Sequence, residues 1–192
     1  MPKRDDSVRL AGAAGRGVGF VILMVLAWKV LAQGLTFQGG GVLGFIHGVD
    51  LVFHEAGHVI FGFFGEFIAV LGGSLNQVLM PLIATIAFLR TRQPASATVT
   101  LWWTGQSLTD VAIYAADGRA KALPLLAEGL IHDWGYILGR LGLRQSAETV
   151  GRVIFALGAL TMLAALALLA LDLLRCWNAS SPDTDGRPRT AA

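Results

Sequence analysis

The sequence predicts an all-α, polytopic helical membrane protein with about five transmembrane helices plus an interfacial or re-entrant helix. Three observations predict it. Charged residues make up only 15% of the chain while 54% is hydrophobic, and the mean hydropathy is +0.61, so there are too few charges to cover a water-facing surface. Five apolar segments reach or approach the roughly 20 helical residues that a bilayer core requires. The 24 glycines suit a bundle in which small residues let helices approach where no hydrophobic force drives them together.

Taken in order, Lys3, Arg4, Arg9 and Arg16 precede an apolar run from Val18 to Leu31. No small-x-small cleavage site follows that run cleanly, so it reads as a retained first span rather than a signal peptide. Residues 1–16 are then expected as a cytoplasmic segment, 17–174 as the membrane domain and 175–192 as a disordered polar tail. The expected spans are 17–33, 42–65, 67–89, 95–116 and 150–174. Between the last two, residues 119–148 mix charges with apolar side chains and suit an interfacial or re-entrant helix, with Trp134 and Tyr136 at headgroup level. Five crossings from a cytoplasmic N-terminus place Arg119, Lys121, Arg140 and Arg144 in the cytoplasm, as the positive-inside rule prefers, and leave Arg90 and Arg92 outside against it. The net charge of +2 forms no dense basic patch, which excludes nucleic acid as a partner, and the single Cys176 cannot form an internal disulfide.

The chemistry is concentrated in HGVDLVFHEAGHVIFGFFG. His54 and His58 lie four residues apart, hence on one helix face, where two imidazoles can grip one metal ion. Glu55 sits beside them, placed to take a proton from an attacking water and pass it to a leaving group. Two histidines and a carboxylate within five residues of apolar sequence are costly in a membrane unless something binds them. On the same stripe lie His47 and Asp50, either an interfacial pair or, for Asp50, a carboxylate that orients His54. Gly57, Gly62 and Gly65 are expected to admit a neighbouring helix.

A catalytic site needs a third protein ligand and an open position. Asp110 ranks first because it sits deep in an apolar segment, on one face with Gln106 and Asp117; His132 follows, and its neighbour Asp133 comes after it. Asn76, just before Gln77 and five residues upstream of the helix-perturbing Pro81, either donates to a substrate carbonyl or developing oxyanion or, with Gln77, holds helices together.

On these residues the chain resembles the site-2 protease type of intramembrane zinc metallopeptidase. The resemblance runs from Val42 to Asp117, and its specific part is the HEAGH pentapeptide. It implies Zn²⁺ held by His54, His58 and Asp110, with Glu55 as general base and Asn76 as a polar group of the intervening hairpin. It also implies proteolysis of membrane-embedded or membrane-proximal substrates, with the bilayer and a membrane protein or peptide as partners. Asp110 stands in SLTDVAIY rather than in the family's Asn/Asp-x-x-Pro or Leu-Asp-Gly setting, and LIHDWG has no family counterpart. The expected localisation is a bacterial inner membrane. A membrane lipid amidase or esterase, and a non-catalytic metal-binding scaffold or transporter, are the alternative expectations.

Overall fold

A computed structural model describes residues 3–36, 40–124 and 131–180. Among them the chain is helical and contains no strand: α1 Lys3–Gln33, α2 Gly41–Phe61, α3 Glu66–Arg90, α4 Pro94–Asp117, α5 Asp133–Arg140 and α6 Ala147–Ser180. Single 3-10 turns at Gly62–Phe64 and Arg144–Ser146 introduce α3 and α6. Local chemistry sets several of these boundaries. Gly65 ends the first 3-10 turn at φ 92°, a conformation that costs a glycine nothing. Pro94 opens α4, where its missing N–H is one of the groups a helix leaves unbonded anyway.

Three stretches are long and apolar enough to cross a membrane, Ala11–Gln33, Glu66–Arg90 and Arg144–Trp177. Large apolar side chains on the outside, among them Trp28, Phe45, Val59, Phe63 and Leu160, form a surface consistent with a membrane protein, since lipid rather than water suits it. The N-terminal segment is not separate from the first apolar run. No proline interrupts residues 3–33, and α1 continues through both. Arg16 of α1 pairs with Asp172 of α6 at 2.7 Å, which fixes these helices antiparallel and gives both charges a partner in an apolar setting. At the other end, α6 runs to Ser180, past the point at which disorder is expected, because nothing from Arg175 to Ser180 breaks a helix. The rest of that tail lies outside the described residues.

The core joins Leu23, Ala27 and Val30 of α1, Trp102 of α4, and Met162, Ala165, Leu166 and Leu169 of α6. Glycines set how closely the helices cross. A Cβ on Gly105 would lie 2.7 Å from the Gly158 carbonyl oxygen, and one on Gly158 would lie 2.6 Å from that of Gly105, so α4 and α6 touch backbone to backbone. Gly57 and Gly72 do the same for α2 and α3, where a Cβ on Gly57 would collide with the Gly72 carbonyl oxygen. Gly62 and Gly65 admit no helix. They lie past the end of α2, with open space around them.

Of the stretch expected to form an interfacial or re-entrant helix, α5 is the helical part described within 119–140, only eight residues long. Its Trp134 is tied to a neighbouring helix. The indole Nε1 donates to Ser74 Oγ of α3 at 3.1 Å, because α5 packs inward against α3 and the C-terminal end of α4. Tyr136 lies tilted against Phe67 with Arg140 over its ring. The result is a junction where α2, α3, α4 and α5 meet, and the charged and polar side chains of the apolar helices gather there.

Candidate metal centre

His54 and His58 lie one turn apart on α2 and meet edge to face, with ring centroids 4.9 Å apart and ring planes at 76°. Each imidazole is oriented by a neighbour on α3. His54 Nδ1 bonds Gln77 Oε1 at 3.1 Å, and His58 Nδ1 bonds the Ala69 carbonyl oxygen at 2.9 Å. Carbonyl oxygens only accept, so each Nδ1 carries a proton, and in the neutral ring each Nε2 keeps its lone pair, as a metal ligand requires. The orientation of the Gln77 amide follows from its other end, where Nε2 donates to Asp110 Oδ2 at 2.8 Å.

The third group is Asp133, the first residue of α5. Its Oδ2 lies 2.8 Å from His54 Nε2 and 3.2 Å from His58 Nε2. The ligand atoms of His54, His58 and Asp133 all fall within 4.8 Å of one another, and together these residues could hold a metal ion. Burial pushes the Asp133 carboxyl up, but the hydrogen bonds and charges of His54 and His58 outweigh it and leave the group below its ordinary value. An ionised carboxylate thus faces two Nε2 atoms that are bare in the neutral imidazoles and share a proton with it when a histidine is charged. Such a set of acceptors is stable only around a cation, either a proton or a metal.

Gly73 forms the floor of this site. A Cβ there would lie 2.6 Å from His54 Nε2 and 2.7 Å from His58 Nε2. Two adjacent glycines in a helix cost about 1 kcal/mol each relative to alanine, and close approach is what such a pair signals in a sequence. Gly72 meets α2, and Gly73 leaves room for the ligand nitrogens. Gly73→Ala should therefore keep its helical content, since alanine is the better helix former, yet lose metal affinity by roughly ten- to hundredfold or more as the imidazoles are pushed aside. Circular dichroism together with chelator competition reads both effects. Unchanged affinity would mean that the nitrogens do not face Gly73.

The three groups line a cavity of about 460 Å³ that also receives Glu55, His47, Asp110, Tyr114 and Trp134. Glu55 lies on the cavity side but outside the set of three that could hold the ion. Asp110, expected as third ligand, is placed behind the site. Its carboxylate takes His47 Nδ1 at 2.9 and 3.1 Å and Gln77 Nε2 at 2.8 Å, so Gln77 stands between it and His54. His132 is also turned away from the histidines, bonding Asp117 Oδ2 through Nε2 at 3.1 Å. Asn76 does not reach the cavity. Its amide donates to the Phe53 carbonyl oxygen at 2.7 Å, holding α3 to α2. Asp50 does not orient His54, because it points toward α4 and accepts from Trp103 Nε1 and Ser107 Oγ. The orienting role belongs to Gln77, which sequence reasoning placed only as a helix-holding residue.

The chain matches no family model, no curated protein and no solved structure.

Proposed function

We propose that this protein is a zinc-dependent intramembrane hydrolase, a metallopeptidase of the site-2 protease type that cleaves membrane-embedded or membrane-proximal peptide bonds. One observation carries the reading. Two imidazole Nε2 atoms and one Asp133 carboxylate oxygen lie within 4.8 Å of one another, and Glu55 lines the same cavity. A His/His/Asp donor set fits zinc, and three protein ligands leave its fourth position open. When bound, zinc would polarise a scissile carbonyl and lower the pKa of water.

The chain's own residues supply the rest. His54, His58 and Asp133 hold the ion, Gln77 and the Ala69 carbonyl keep both Nε2 atoms pointed at it, and Glu55 takes the proton of the attacking water and delivers it to the departing amine nitrogen. The substrate must be extended or locally unwound, because an intact helix keeps its carbonyls in internal hydrogen bonds. Five crossings, with α2 and α4 also embedded, would place the site within a bacterial inner membrane, where Leu51, Val111 and Ile131 offer apolar walls to the substrate. The same walls would take an acyl chain, which favours a lipid amidase or esterase as the second reading.

Detergent-purified protein is expected to hold about one zinc per chain and, in liposomes, to cleave a fluorogenic apolar peptide. Cleavage should stop on chelation and return with added zinc. Protein that neither contains nor takes up zinc would overturn the proposal. Cleavage of an acyl amide but of no peptide would transfer it to the second reading.

A further inference from the structure

Asp133 reaches the histidines only because the connection from α4 to α5 returns to the cavity, and the two ends of that connection are tied to each other. Asp117, the last residue of α4, accepts from the backbone N–H groups of Ala122 and Leu123, both at 3.0 Å. His132, immediately before Asp133, meets the same carboxylate at 3.1 Å. The bond network fixes the His132 tautomer. As N-cap of α5 its Nδ1 accepts from Gly135 N–H at 3.1 Å, so the proton is on Nε2 and is donated to Asp117. Both side chains are largely buried, 4% and 11% exposed, so water competes little for the bond. Just beyond Asp117, a Cβ on Gly118 would lie 3.0 Å from the Trp134 backbone, so the end of α4 rests directly on the first turn of α5.

We propose that Asp117 and His132 form a latch that positions Asp133, setting the metal affinity of a centre that neither residue touches. The latch rests on the reading of His54, His58 and Asp133 as a metal centre. His132 has two separable duties. Its Nδ1 caps the α5 helix, and its Nε2 ties that helix to the end of α4. Asparagine is among the best N-cap residues but is too short to span to Asp117 as well, so His132→Asn keeps the cap and cuts the tie. Asp117→Asn keeps one acceptor oxygen for the Ala122 amide but turns an NH2 toward the Leu123 amide and the imidazole, so it breaks the imidazole bond together with one backbone bond.

The test measures zinc dissociation constants by chelator competition on full-length protein in detergent. His132→Asn and Asp117→Asn should each weaken zinc by about ten- to hundredfold, the usual effect of removing a group that orients a ligand. The double variant should be little weaker than Asp117→Asn alone, because that variant already breaks the bond that His132→Asn cuts. The deciding measurement uses an Asp133→Ala background. There, His132→Asn should change the residual affinity of the histidine pair by no more than about twofold, since the latch has no ligand left to position. A general weakening of the fold would instead lower affinity in both backgrounds, and that result would overturn the proposal. Wild-type affinity in His132→Asn would overturn the latch alone. A wild-type protein that takes up no zinc would overturn the metal centre and the latch together.

Discussion

Asp133→Ala protein is expected to bind zinc about two to three orders of magnitude more weakly than wild type. Structural zinc sites supply about 10–16 kcal/mol through four ligands, or roughly 2.5–4 kcal/mol for each, and about 1.4 kcal/mol is a factor of ten. The informative comparison is with Asp110→Ala. Asp110 is linked to His54 only through Gln77, so its removal loosens the orientation of one imidazole without taking a donor from the ion, and the expected loss is about ten- to hundredfold. Removing Asp110 also strips His47 of its carboxylate partner. Dissociation constants for both variants, with helical content as the control, separate the two roles. If Asp110→Ala released zinc and Asp133→Ala kept it, the third-ligand role would pass to Asp110, and the cavity would have to rearrange around the ion.

Glu55→Gln carries the second large effect. Glutamine keeps the size and hydrogen-bonding capacity of the side chain but cannot accept and return a proton at neutral pH. Glu55 stands outside the residues that could hold the ion, so zinc content should stay at the wild-type value. Hydrolysis should fall by about 10²- to 10⁴-fold, the usual contribution of a positioned general base, equivalent to about 2.7–5.4 kcal/mol of barrier. Turnover of the liposomal peptide and metal content measured on the same preparation give both numbers. Wild-type turnover in Glu55→Gln would remove Glu55 from the mechanism. Loss of zinc would make it a ligand, as a transport site would use it.

The sequence by itself determined the helical class, the apolar segments and the His54/His58 pair, because all three depend on short-range regularities. An apolar stretch needs no partner to be recognised, and positions four apart share a helix face wherever the helix lies. The boundaries at Gly65 and Pro94 were equally local. Burial alone could not rank the third ligand, because a buried carboxylate needs some partner but composition does not say which. For Asp110 that partner is His47 and Gln77, while Asp133, which looked less buried along the chain, is the carboxylate carried to the histidines. Asn76 and Gln77 are adjacent and chemically alike, yet successive helical positions face about 100° apart, so one amide ties α3 to the Phe53 carbonyl while the other orients His54. Which face met which neighbour was decided by Gly57 on Gly72, where two backbones close to contact. Asp133 lies 79 residues from His54 in the chain, and no periodicity spans that distance. Only the return of the chain past Asp117 and His132 brings the carboxylate to the metal-facing nitrogens, and that return exists only once α4 and α5 are packed together.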